Sequence, residues 1–174
     1  MTESIEVIPY CEEWEAAYRQ ESAKISRSLH PVLTAIDHIG STSIPGMASQ
    51  PIIDILGGIA NVDSIDQLKE SLSKVGYQGP CDSDTREHRY FCKKDHLGRH
   101  LFHLYVYHSE AEDAVHYLAF RDYLKTHEED AALYGQIKIK LAKTFPSDRH
   151  SYMIAKRAAA KRIEERALQW WYDQ

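Results

Sequence analysis

The sequence predicts an α/β (α+β) fold, with a β-sheet and packed helices over about residues 1–108 and a helical part over about 109–174. Three observations carry that reading. Two apolar runs within residues 33–59, Leu33 to Ile39 and Pro51 to Leu56, flank a polar turn in the manner of strand, turn and strand. His88 to Lys94 and His100 to Tyr107 form a second strand pair, joined through Asp95-His96-Leu97-Gly98. Beyond residue 109 the apolar residues recur at helical spacing.

The elements follow in order. Ile5 to Ile8 suits a short edge strand. Trp14, Tyr18, Ile25 and Leu29 mark an amphipathic helix over 11–29, bracketed by Pro9 and Pro31. After the second strand, Asn61 is an expected N-cap for a helix carrying Val62, Ile65, Leu68, Leu72 and Val75, which Gly76 ends. Residues 77–84 read as a loop in which Asp82 and Asp84 are solvated acids rather than a metal pair. On the fourth strand His103, Tyr105 and Tyr107 share one face, and Phe102, Leu104 and Val106 the other. His100 has the opposite parity to His103, so without a bulge the two point apart. Three helices follow, over 110–126, 128–145 and from an Asp148 cap to about Trp171, and Trp170-Trp171-Tyr172 is expected to close the core rather than a dimer contact.

Composition bounds the function. A chain of 174 residues suits one domain, with enough length for a proper core. The net charge is −5, yet residues 138–166 hold 9 basic and 3 acidic side chains, a local face suited to phosphate-bearing ligands. The acidic remainder speaks against a nucleic-acid partner. No apolar stretch approaches the roughly 20 residues that cross a bilayer, and the start lacks a signal pattern, so no membrane partner is expected. Cys11, Cys81 and Cys92 show neither pairing nor metal-ligand spacing, which suits a reduced cytoplasm.

The chemistry gathers at residues 36–59. Gly40-Ser41-Thr42 offers backbone N–H groups and hydroxyls without bulk, as an anion requires. Asp54 stands inside an apolar run, where an ionised carboxylate needs a cation, a metal ion or a neighbouring backbone N–H. Tyr152 and Lys156 lie four apart on one helix face and could receive a base and a phosphate together.

In order and spacing these residues resemble the GrpB family, a branch of the nucleotidyltransferase fold. The resemblance runs through His38-Ile39-Gly40-Ser41-Thr42, Pro45-Gly46, Pro51-Ile52-Ile53-Asp54-Ile55 and Arg89-Tyr90-Phe91. It continues through His103-Leu104, Phe120-Arg121-Asp122-Tyr123-Leu124, Leu141-Ala142 and Asp148-Arg149 to Tyr152 and Lys156. It implies a nucleotidyltransferase-like mixed β-sheet in a single domain over 1–174. It also implies a nucleotide or phosphorylated small molecule as partner, held by Gly40, Ser41, Thr42, Arg89, Lys138, Tyr152 and Lys156. Asp54 and His103 are the implied catalytic and metal-binding residues, with magnesium or manganese as the cofactor. GrpB-like domains fused to dephospho-coenzyme A kinases point to adenine-nucleotide or coenzyme A chemistry.

Three departures qualify this. Leu56 replaces the second acid of the Asp-x-Asp or Asp-x-Glu pair, Tyr105 stands where a second histidine is common, and Gln50 replaces a lysine. A single ion that accepts imidazole then fits better than two magnesium ions. The expected function is binding of a nucleotide or phosphorylated small molecule with nucleotidyl transfer. The alternative is a catalytically inactive binding module of the same fold. Metal-dependent hydrolysis ranks third, for want of a general base.

Overall fold

The computed structural model describes residues 4–60, 65–79 and 88–174; Asn61, Val62, Cys81, Asp82 and Asp84 lie outside them. Helix α1 (Glu13–Ser28) leads into β1 (Leu33–Ile39), and β2 (Ile53–Ile59) is followed by α2 (Ile65–Lys74). Then come β3 (His88–Lys94), β4 (His100–His108) and the helices α3 (Glu112–Thr126), α4 (Glu128–Thr144) and α5 (Arg149–Tyr172). The four strands form one mixed sheet in the order β1-β2-β4-β3. β1 and β2 are antiparallel, β2 and β4 parallel, and β3 and β4 antiparallel.

By its contacts the chain divides into two compact units. One holds the sheet and comprises Glu13–Gly40 and Ile52–Ala114. The other is helical and takes the stretch up to Glu12, Ser41–Pro51 and Val115–Gln174. The sequence places everything before residue 109 with the sheet, but Ile44 and Met47 bury their side chains among Tyr123, Leu124, Ala131, Tyr134, Ala160, Ile163 and Ala167. Ile5 likewise packs with Ala142 and Tyr152, and its N–H donates to Pro146 O at 2.8 Å. The edge strand expected at residues 5–8 is therefore not formed; Ile8 makes only an isolated bridge to Ser49. A short apolar run cannot announce whether its partner is a sheet or a helix pair.

In the sheet unit, register decides what each face carries. Cross-strand partners put Ile39, Asp54, His103 and Cys92 in one row, and Asp37, Leu56, Tyr105 and Tyr90 in the next, all on one face. The opposite face presents Ile55, Leu104, Val106 and Phe91, none more than 1% exposed. Helix α1 lies on that second face: Tyr18 stacks on His38 with ring centroids 4.6 Å apart, and Glu21 reaches Lys93 across 2.6 Å. Ser28 ties α1 to α2 by donating to Ser71 O at 2.8 Å. Burying a leucine such as Leu104 completely stabilises the fold by roughly 2 kcal/mol before packing is counted.

In the helical unit, α5 starts where the sequence puts it, with Asp148 Oδ1 accepting from Ser151 N at 3.0 Å. Helices α4 and α5 run antiparallel, as the ion pair of Asp130 with Arg166 at 3.0 Å and the contact of Ala142 with Tyr152 require. Trp170 packs against the core cluster edge-on to Tyr123, while Tyr172 is 70% exposed, so the terminal aromatic run closes the core only in part.

Candidate functional site

Asp54 is the second residue of β2, between Ile53 and Ile55, which are 3% and 0% exposed. Its own side chain is 28% exposed. Side chains alternate along a strand, so Ile53 and Ile55 anchor the strand in the core while Asp54 takes the other face. The carboxylate lies against Gly40 at the end of β1. A Cβ built on Gly40 would come within 2.5 Å of Asp54 Oδ2, and Gly40 has a φ of +70°. Both facts demand glycine: a side chain would be strained there and would displace the carboxylate.

The other oxygen of Asp54 meets β4. His103 Nδ1 lies 3.2 Å from Asp54 Oδ1, and a carboxylate only accepts, so Nδ1–H donates. His103 Nε2 lies 3.0 Å from His100 Nδ1. Thus both ring nitrogens of His103 bond within the chain. The parity expectation that His100 faces away is overturned by a β-bulge: Lys93 pairs with Phe102 but Lys94 pairs with His100, so Leu101 is an extra residue on β4. One inserted residue reverses the parity of everything before it, and His100 joins the Asp54 face. Tyr90 stands edge-on to His103 at 5.3 Å and Tyr105 at 6.4 Å, fixing the plane of its ring.

The remaining candidates divide. Arg89 pairs with Val106, which puts it on the sheet face opposite Asp54, and its Nη1 donates to His88 O at 3.2 Å. His38, also on that opposite face, is 6% exposed between Tyr18 and Glu15. Ser41 opens a three-residue 3₁₀ turn, Ser41–Ser43, in which Thr42 is 1% exposed, so its hydroxyl is taken into the interior. In the helical unit Lys138 follows Ala131, Tyr134 and Gly135 in the buried stripe of α4, with Nζ 4.9 Å from the centre of the Tyr134 ring. Lys156 Nζ sits 5.7 Å from the centre of the Tyr152 ring, the spacing that residues four apart on a helix allow. The Tyr152 hydroxyl is buried with no hydrogen-bond partner among the described residues. Burial pushes its pKa up to about 12, against a smaller downward pull from Arg149.

Among the described residues no three His, Cys, Asp or Glu side chains converge as a metal site. Asp54 and His103 offer one oxygen and one nitrogen, and that nitrogen is engaged with the oxygen. A resident ion held by protein alone does not fit this donor set. An ion that arrives on phosphate, keeps several waters and needs only one or two carboxylates fits Asp54.

The mixed sheet with its packed helices is similar to a nucleotidyltransferase fold. The structure of the Cid1 poly(U) polymerase bound to magnesium and 3'-dATP matches 79% of this chain and 42% of that one, with a TM-score of 0.54 and 14% identity, a likeness of fold alone. The chain belongs to the GrpB family, whose model, described as GrpB protein, matches residues 4–166. The crystal structure of GrpB from Enterococcus faecalis covers 96% of this chain and 99% of its own, with a TM-score of 0.90 and 29% identity. UPF0157 protein YqkA of Bacillus subtilis strain 168 is 34% identical over 166 residues, 95% of this chain and 48% of YqkA, so the chain spans about half the length of that relative.

Proposed function

We propose that this protein binds a nucleotide or a phosphorylated small molecule beside Asp54, with magnesium or manganese carried in on the phosphate, and transfers a nucleotidyl group. The observation that carries the reading is a carboxylate, 28% exposed, in a strand that is otherwise core. One of its oxygens is anchored by His103 and the other leans over a glycine that cannot be replaced without displacing it. A buried strand tolerates such a charge where it is paired or hydrogen-bonded, and it persists best where it has work to do. The ion would neutralise phosphate oxygens, and Asp54 would orient it. Gly40, beside the carboxylate at the end of β1, would let phosphate approach the backbone closely. Among the described residues Cys11 and Cys92 form no disulfide, which supports a reduced, cytoplasmic setting. No helix of the described residues is long and apolar enough to cross a membrane.

One observation favours a binding module without transfer: the place of the second acid is held by Leu56, 4% exposed. Thermal unfolding against nucleotides, coenzyme A and sugar phosphates, with magnesium, manganese or chelator, separates the readings. A ligand at a hundred times its dissociation constant stabilises by about 2.7 kcal/mol. A metal-dependent shift in wild type that is lost in Asp54→Asn supports the transfer-type site and names the ligand for turnover assays. A shift indifferent to metal and to the substitution supports the module, and no shift with any compound removes both.

A further inference from the structure

The bulge at Leu101 costs a strand one paired residue, and what it delivers is a second imidazole. Without it the His100 side chain would project from the face covered by α1; with it the rings of His100 and His103 meet edge to face, centroids 5.0 Å apart and planes at 83°. The order of hydrogen bonds then follows from one fixed point. Asp54 accepts, so His103 carries a proton on Nδ1; in the neutral ring Nε2 of His103 is then an acceptor, and the proton in the second bond belongs to Nδ1 of His100. Both histidines are thereby held in the Nδ1–H tautomer, the less populated form of free histidine.

We infer that His100 is a positioning residue, which through His103 fixes the carboxylate of Asp54 and withholds His103 from metal coordination. The chain runs from His100 Nδ1–H to His103 Nε2, and from His103 Nδ1–H to Asp54 Oδ1. Asp54 Oδ2, above Gly40, is the oxygen left to meet a ligand. The consequence is a preference in ligand class. A site whose imidazole is occupied and whose offered atom is a carboxylate oxygen selects a hard, oxygen-preferring cation over zinc, nickel or cobalt. This preference differs from the sequence expectation of an ion that accepts imidazole. The use of that cation with phosphate rests on the function proposed above; the tautomer pattern does not.

The test is long-range proton–nitrogen correlation of ¹⁵N-histidine-labelled protein at one mildly alkaline pH, for wild type, His100→Leu and His100→Asn, with folding of each checked by circular dichroism. In wild type His100 and His103 should both show the Nδ1–H pattern, and added zinc should leave the His103 signals in place. His100→Leu should lose the Nδ1–H pattern of His103 and make that ring zinc-responsive. His100→Asn should restore it, because the asparagine amide nitrogen sits about where Nδ1 did and still donates. A wild-type His103 protonated on Nε2, a His103 that shifts with zinc in wild type, or a pattern unchanged in a folded His100→Leu variant overturns the assignment. Should the leucine variant not fold, the wild-type tautomers and the zinc response decide alone. A wild type with the expected tautomers and no ligand in the thermal panel would defeat the proposed function and leave the positioning role standing.

Discussion

The two faces of the sheet each hold a histidine beside a carboxylate, and the two pairs do different things. On the face under α1, His38 is 6% exposed, stacked on Tyr18 with planes 12° apart, and its Nδ1 lies 3.4 Å from Glu15 Oε2. Glu15 belongs to a helix and is 45% exposed, so the charge stays at the water while the ring is a plate in the core. On the other face the carboxylate itself is built into the strand, and the ring between Asp54 and His100 is bonded at both nitrogens. A histidine and an acid in reach of each other therefore do not define a site. What the second nitrogen meets, and whether the acid is rooted in the sheet or merely leans on it, separates packing from chemistry.

Substitutions that probe this contrast differ in size. The largest effect should come from the covered face at Glu21, which is 2% exposed and holds Lys93 at 2.6 Å and Lys24 at 3.2 Å. Glu21→Ala strands Lys93 over Tyr77 and Phe102 and should cost about 3 kcal/mol, below the value for a wholly buried pair because Lys93 is 21% exposed. Urea unfolding measures it, and a loss under about 1 kcal/mol would mean that the pair is no more than a surface bridge. Gly40→Ala comes next: the positive φ and the collision with Asp54 should cost about 2 kcal/mol. It should also break the His103 tautomer pattern, which no substitution on the α1 face should touch.

Smaller still is Tyr152→Phe. Removing a buried hydroxyl with no partner should be neutral or stabilising by up to about 1 kcal/mol. If ligand stabilisation drops at the same time, the hydroxyl is reserved for the ligand. The smallest effect is at Glu15. Burial pulls its pKa up, but the hydrogen bonds and charges of Arg19 and His38 outweigh that and bring it below its ordinary value. Its stabilisation is then present above the ordinary glutamate range and lost as pH falls through the lowered folded-state value. Glu15→Gln should flatten the acid limb of a stability profile slightly and leave neutral pH unchanged, which a denaturation series across the acid range checks.

Much of this was legible beforehand, for reasons that can be named. The paired runs around Gly40 and the alternation of Leu104 and Val106 against His103 and Tyr105 are local periodicities, and a strand or helix declares itself by them. Asp148 before a helical run is a local signal as well. What escaped was set by partners far away in sequence. A single extra residue, Leu101, reversed the parity of His100, and no residue type marks a bulge of this kind. Arg89 is implied by the family resemblance as a ligand contact, and its register with Val106 puts it on the covered face. Ile5, Ile44 and Met47 fall in the stretch that the sequence assigns to the sheet part and are parts of a helical core. Glu21 and Lys93 stand 72 residues apart, and only the docking of α1 brings them together.

The interleaving of the two units also constrains how the chain can be made. The helical core needs Ile44 and Met47 as well as side chains from α3, α4 and α5, so it cannot close until α5 has left the ribosome. The sheet, complete once β4 has emerged, can form first, holding the stretch from Ser41 to Pro51 as an unfinished loop that waits some seventy residues for its partners. A protein arranged this way has no half that can be cut away and kept. The helical unit is interleaved with the sheet in sequence, so a break in α3, α4 or α5 should be read out early in the chain, as proteolytic cleavage near Met47.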